Sequence, residues 1–272
     1  MAYLIQHDYK KLIQTDNLSQ VIGADNSVLS QMEAVAQAEI VGHLIQKYEV
    51  SKEFTSTSQY TTYGGTYSAK NRIYLDGNTY NAALTYTAHS IVLYSGSVYF
   101  NANAINTPEA WNSSHWTLLG LQYDMFYVSL PDPEYDFYTV YVVGDKVWYK
   151  NKKYTALMGS SNLTPDLNPT IWGQGTTYTV TALPTDTTKW TAGDNRNPLM
   201  VATMIDVTLY HVHSRISPRN IPELRVKRYD DAKEWLRNCA RGEMTADIPK
   251  IQPTQGMRIR MGSRLEKQNN NF

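Results

Sequence analysis

The stretch that decides the fold runs from Asn197 to Met244, NPLMVATMIDVTLYHVHSRISPRNIPELRVKRYDDAKEWLRNCARGEM. It reads as two helices joined by a short turn. Asn197 is placed to cap the first, and Pro198 fits the first helical position, where a missing N–H costs nothing. Leu199, Val201, Met204, Ile205, Thr208, Leu209 and Val212 then recur at three-and-four spacing, which builds one apolar helix face. Ser217, Pro218 and Asn220 break that run. Pro222 opens a second helix with Glu223 in its first turn, and Leu224, Val226, Tyr229, Ala232, Lys233, Leu236 and Ala240 follow. Arg237 and Arg241 suit the negative C-terminal end of a helix. Gly242 is placed to stop it in a left-handed cap.

Working outward, the N-terminal end has the same helical character. Residues 6–14 and 16–22 read as short helices. Asp25, Asn26 or Ser27 can cap a long helix over SVLSQMEAVAQAEIVGHLIQKYEV, residues 27–50. Its apolar set, Val28, Leu29, Met32, Val35, Ala36, Ile40, Val41, Leu44, Ile45 and Tyr48, predicts a core helix packing on the two C-terminal ones.

Between these ends the period changes from helical to alternating. Residues 56–194 hold 16 of the 21 tyrosines and five of the six tryptophans but only 17 of the 50 charged residues, so an all-β insertion in a helical host is expected. A short motif recurs at Ile73–Tyr80, Val92–Tyr99 and Val147–Tyr154. In each copy an alternating aromatic and aliphatic strand meets a predicted tight turn, at Gly77, Gly96 or Asn151, residues that tolerate positive φ. Tyr80, Tyr99 or Tyr154 opens the return strand. The second and third copies are followed by a polar loop with proline (Pro108; Pro165 and Pro169) and then Trp116 or Trp172. Repeats this small bury little alone and are expected to pack side by side. Phe126–Asp136, with Pro131 and Pro133, reads as a linker.

Two resemblances follow from these motifs. YDDAKEWLRNCARGEM (Tyr229–Met244) and the opening MAYLIQHDYKKLIQ with its long helix resemble phage head–tail connector, or neck adaptor, proteins. That family joins its long helix to the next by a short loop, whereas well over a hundred residues intervene here. The repeats resemble small aromatic chitin-binding modules of the kind appended to chitinases. The expected fold class is α+β multidomain: a helical connector bundle interrupted by an all-β insertion of small aromatic-rich repeats. Its expected parts are a discontinuous helical domain (1–55 and 197–247), β modules at 56–136 and 137–196, and an extended C-terminal arm (248–272).

Formal net charge is zero, so no global field drives the chain onto nucleic acid or an anionic membrane. The one cysteine, Cys239, allows neither an intrachain disulfide nor a Cys-based metal site and reads as a packing residue. No apolar run is long enough to span a bilayer, and the N-terminus lacks a signal-peptide pattern. No catalytic set, cofactor site or metal site is expected. There is no phosphate-cradling loop and no nucleophile elbow. His211 and His213, two apart on a helix, point about 200° from each other and cannot share a metal. Asp132, Glu134 and Asp136 lie in a Pro-containing loop without a second acidic cluster.

The connector resemblance implies a homo-oligomeric ring of about a dozen subunits, contacting portal protein and tail or other neck proteins. DNA would pass through without sequence readout, in a virion assembled in the bacterial cytoplasm. In the C-terminal arm, Met257, Ile259 and Met261 alternate with Arg258 and Arg260, a strand pattern with an apolar and a basic face. Arg258, Ile259, Arg260, Met261 and Arg264 are therefore candidates for a subunit or portal interface. Trp111, Trp148 and Tyr149 are candidates for stacking on sugar rings, the rival reading being a carbohydrate-binding protein. Trp116 and Trp172, after their loops, read as core.

Overall fold

The computed structural model describes residues 2–22, 25–216 and 219–251. The protein is α+β, with five α-helices among these residues. The described residues form two compact units, 2–131 with 177–251 and 132–176.

The helices are α1 (Thr15–Ile22), α2 (Asn26–Leu44), α3 (Val50–Glu53), α4 (Pro198–Ile216) and α5 (Glu223–Arg241). A 3₁₀ segment, Gln6–Lys11, precedes them. The caps lie where the sequence places them. The Asp25 carboxylate accepts from Ser27 N–H at the head of α2. Asn197 Oδ1 accepts from the N–H groups of Leu199 and Met200 at the head of α4. Gly242 ends α5 with φ 86°, a left-handed conformation that favours glycine.

α4 is the central helix, burying Met200, Met204, Ile205, Val207, Leu209 and Val212. Against it pack Leu29, Ala36, Ile40 and Leu44 of α2 and Leu236 and Cys239 of α5, with Tyr3, Tyr9, Tyr48 and Ile248 closing the same core. Fully burying each large aliphatic chain contributes about 1.5–3 kcal/mol. Two expectations change here. α2 ends at Leu44 rather than running to residue 50, because Tyr48 turns into a bridge with Lys250. Val35 and Ile45 are exposed, since their positions fall opposite Ala36, Ile40 and Leu44. Trp235 is half-buried, while its neighbour Leu236 takes the fully buried place.

The strands of the first unit are β1 (Thr57–Gln59), β2 (Tyr67–Ser68), β3 (Arg72–Tyr74), β4 (Asn78–Thr79), β5 (Ile91–Tyr94), β6 (Ser97–Phe100), β7 (Thr117–Leu121) and β8 (Met125–Val128). The second unit contributes β9 (Lys146–Tyr149) and β10 (Lys152–Ala156). The remaining strands are β11 (Trp172–Thr177), β12 (Thr179–Val180) and β13 (Trp190–Ala192). The sheets run β1-β3-β8-β13, β4-β5-β6-β7, β11-β10-β9 and the pair β12-β2.

Two of the three sequence motifs form hairpins. Ser95 and Gly96 join β5 to β6 with φ 52° and 81°, and Lys150 and Asn151 join β9 to β10 with φ 48° and 62°. Consecutive positive φ is what a two-residue type I′ turn requires. The first motif does not close. β3 pairs instead with β8, putting Ile73 opposite Phe126, and β4 joins β5 in another sheet. Gly77 is there for close approach, not for a turn: a Cβ on it would lie 3.2 Å from the Val92 carbonyl carbon. Phe126–Val128, expected in a linker, is a strand inside the first sheet. β12 and β13, read from sequence as part of the second module, pair with β2 and β8.

These departures share one cause, a repeated unit whose copies are interleaved along the chain. Each copy has a residue paired in parallel with the central strand: Gln59 with Tyr74, Thr79 with Leu93, and Glu134 with Trp148. Next comes a pair of stacked tyrosines, Tyr60–Tyr67, Tyr80–Tyr86 and Tyr135–Tyr141, with ring centroids 6.0, 5.3 and 5.4 Å apart. A residue of positive φ stands just before the central strand, at Lys70, His89 and Gly144. A tryptophan then closes edge-on against the second tyrosine: Trp190 on Tyr67, Trp116 on Tyr86 and Trp172 on Tyr141. The copy at residues 75–124 thus occupies, in sequence, the hairpin turn of the first. The copy at 132–176 occupies its loop before the closing tryptophan.

Candidate functional site

The inner face of α5 is mainly a packing device. Tyr229, Ala232, Trp235, Leu236 and Cys239 turn toward the helical core. Glu39 of α2 ties three helices together: it accepts from Tyr229 Oη at 2.9 Å, meets His211 Nε2 at 2.9 Å and pairs with Lys233 Nζ at 3.2 Å. Burial alone would raise the Glu39 carboxyl, but hydrogen bonds from His211, Tyr229 and Lys233 outweigh it and the net shift is downward. Tyr210 stacks on Tyr229 at 3.9 Å. His213 points instead to the Leu209 carbonyl, so the two histidines diverge as their spacing requires. The outer face of α5 carries Glu223, Lys227, Asp230, Glu234, Arg237 and Arg241, all exposed, a stripe of both signs.

A second polar cluster lies where the β strands leave the helical core. The Arg196 guanidinium meets Asp8 through two nitrogens at 2.7 and 2.9 Å, donates to the Tyr3 carbonyl at 2.9 Å and pairs with Asp194 at 2.8 Å. Burial would pull the Arg196 pKa down, but Asp194 and Asp8 together push it up. Arg72 of β3 donates to the carbonyls of Glu53 and Thr55 and to Asn195 Oδ1. Glu53 in turn accepts from Tyr3 Oη and Asn197 N–H. The cluster satisfies its buried charges internally, which marks it as structural. Sequence reading missed it because Arg196 stands one residue before the organising stretch and Arg72 inside an aromatic motif. Asp194-Asn195-Arg196-Asn197 ahead of a capped helix was the available signal.

The aromatic candidates separate. Trp111 is half-buried and stacks on Tyr94 at 3.9 Å with planes 10° apart. Trp148 is 4% exposed, so its ring offers no face to a ligand. Tyr149 is half-buried, with Lys150 Nζ 5.1 Å from its ring centre and Lys150 paired to Asp166 at 2.6 Å. Trp116 and Trp172 are core residues of their repeats, as expected. Asp132 is engaged by Lys153 at 2.7 Å, and the Asp136 carboxylate accepts from Thr139 Oγ1. Arg258, Ile259, Arg260, Met261 and Arg264 lie outside the described residues.

Among the described residues no group of three or more His, Cys, Asp or Glu is arranged to hold a metal, and no helix is long and apolar enough to cross a membrane. No protein-family model matches the chain, and none of the curated proteins is detectably similar to it.

Proposed function

We propose that this chain is a structural subunit of a tailed-phage virion, a head–tail connector that forms a homo-oligomeric ring between portal and tail. The observation that carries the reading is the division of labour on the helices. The segment that resembles connectors, Tyr229–Met244, spends its aromatic and aliphatic residues on the core and turns a stripe of acidic and basic residues outward. Charges of both signs on one rigid helix suit contacts between identical neighbours in a closed ring. In this reading the helices form the connector bundle, the aromatic repeats decorate the outside of the neck, and the C-terminal arm contacts portal or tail proteins. DNA passes through the ring without base readout, which a neutral chain permits.

The test is the mass of the full chain in solution and in purified particles, by light scattering and native mass spectrometry, with electron microscopy of any assembly. Closed rings and presence in particles are expected. A chain that stays monomeric at high concentration and is absent from particles rules the reading out.

The second reading is a carbohydrate-binding protein. It has one observation in its favour, the half-exposed Trp111 held flat on Tyr94 in a platform that a sugar ring could cover. Retention of the protein on chitin, lost in Trp111→Ala, would favour it; no retention removes it.

A further inference from the structure

The repeat at residues 132–176 carries an apolar patch that its fold does not require. Tyr138, Val140, Val142, Val143, Leu157 and Met158 are each exposed by 50–73%. They lie at the open end of the β9–β10 hairpin. Tyr141 and Ser160 exchange backbone hydrogen bonds at 2.8 and 3.0 Å, and Gly144 N–H donates to the Ala156 carbonyl at 2.8 Å. Val142 and Val143 therefore run alongside Leu157 and Met158. The Tyr141 hydroxyl accepts from Asp136 N–H at 2.7 Å and donates to the Asp136 carbonyl at 3.1 Å, closing residues 136–141 into a loop beside them. Thr139 is the polar residue between Tyr138 and Val140, and Asp145 and Lys146, of opposite sign, follow the patch in sequence.

The repeat at 75–124 builds the same backbone without these side chains. There Tyr86 and Ile105 exchange the same two bonds, at 2.9 and 2.7 Å, and His89 N–H donates to the Asn101 carbonyl at 2.9 Å. The residues that match Val142, Val143, Leu157 and Met158 are Thr87, Ala88, Ala102 and Asn103. Large apolar chains exposed where the same fold carries small or polar ones mark a contact surface. The match to Tyr138 shows what covers such a loop. Tyr138 stands three residues after Tyr135, as Tyr63 stands three after Tyr60. Tyr63 stacks on His89 and Phe100 of the 75–124 repeat, with ring centroids 4.4 and 5.1 Å apart. Inside this chain, then, one repeat docks on another through this loop.

We infer that two chains associate through this patch, the 132–176 repeat of one facing the same repeat of a second chain about a twofold axis. The six side chains expose on the order of 600 Å². Two such faces bury about 1,200 Å² together, the lower end of the range for a specific interface. The six residues carry no charge, so identical faces meet without repulsion, and a twofold contact is the commonest way for identical chains to pair. The inference goes beyond the ring reading and does not require it.

The test uses the full chain. Val142→Thr, Val143→Ala, Leu157→Ala and Met158→Asn together install the residues of the 75–124 repeat. Sedimentation velocity over a concentration series then compares parent and variant. Association at least ten-fold weaker in the variant, with circular dichroism unchanged, is expected; equal association overturns the inference. A second comparison stands whether or not that variant folds. Val143→Cys, Met158→Cys and Lys152→Cys, the last at the turn end of the hairpin, are made singly and oxidised; Cys239 is fully buried. Disulfides between chains are expected to form several-fold faster at 143 and 158 than at 152, and equal rates overturn the inference. So does flotation of the parent, but not the variant, with phosphatidylcholine vesicles, which would put a lipid surface on the patch. Rings that assemble identically with and without the four substitutions, and show no further pairing, would remove this inference and leave the ring reading standing. Chains that pair through the patch and never close into rings would do the reverse.

Discussion

Arg196 and Asp8, 188 residues apart in sequence, form a two-pronged ion pair with both side chains enclosed, 0% and 2% exposed. The pair joins the 3₁₀ segment near the N-terminus to the residues that lead from β13 into α4. It fixes the point at which the long β excursion returns to the helical core.

Removing one partner leaves a buried charge alone. Arg196→Met is expected to cost about 3–5 kcal/mol in urea unfolding at neutral pH. Adding Asp8→Asn to Arg196→Met should recover part of that loss, because the stranded carboxylate is gone. A single substitution costing under about 1 kcal/mol would mean the two charges are solvated separately.

Leu236 and Trp235 should rank opposite to the order their sizes suggest. Leu236 is fully buried between α4 and α2 and Trp235 only half. Leu236→Ala is expected to cost about 2–5 kcal/mol and Trp235→Ala less. Thermal melts of the two variants decide it. A larger loss at Trp235 would show that this ring is the anchor of α5.

Stability should fall with rising pH through one carboxyl. Burial raises Glu33 from 4.5 to about 7, even though it accepts a hydrogen bond from Tyr9 Oη at 2.7 Å. The folded state therefore holds a proton that the unfolded chain releases. The contribution is fully present below pH 4.5, is lost as pH rises toward 7, and is constant above that. Glu33→Gln should flatten this part of the melting-temperature profile between pH 5 and 8 and leave the variant the more stable protein at pH 8. An unchanged slope would assign the pH dependence elsewhere.

The turn between β9 and β10 is tuned short of its optimum. Asn151 holds φ 62° with Lys150 at 48° before it. Glycine adopts that conformation without a Cβ penalty, so Asn151→Gly should stabilise the hairpin by about 0.5–1 kcal/mol. Slower amide exchange in β9 and β10 is the expected sign. Faster exchange would mean that the Asn151 side chain contributes more than its backbone costs.

The helical ends were legible because capping and periodicity are local. Asp25, Asn197, Pro222 and Gly242 mark helix boundaries in the sequence and in the structure alike. The interior strands were half legible. Val92–Tyr99 and Val147–Tyr154 announce hairpins because both strands and the turn are contiguous. Ile73 carries the same alternation, but its partner Phe126 is 53 residues away, so a local reading supplies the wrong turn. The exposed face of α2 was illegible for a different reason. Val35 and Ile45 are as apolar as Leu29 or Leu44, and hydropathy cannot say which edge of so wide an apolar set meets the core. Buried charges such as Arg72 and Arg196 were missed because composition places arginine outside, and only long-range partners bring it in.

The interleaving of the repeats orders events during synthesis. The copies at 75–124 and 132–176 are complete in sequence soon after their tryptophans, Trp116 and Trp172, leave the ribosome. The first copy begins at Tyr60 but lacks its closing ring until Trp190 appears. Its long sequence separations make closure slow, whereas local pairings form early. Until then Tyr60, Tyr67 and Ile73 have no tryptophan to cover them. The helical core waits longer still, since α4 and α5 follow every strand in sequence. Asp8, made before every strand, thus waits for Arg196, and a nascent chain stalled before Arg196 would hold finished small β units beside an unassembled helical end.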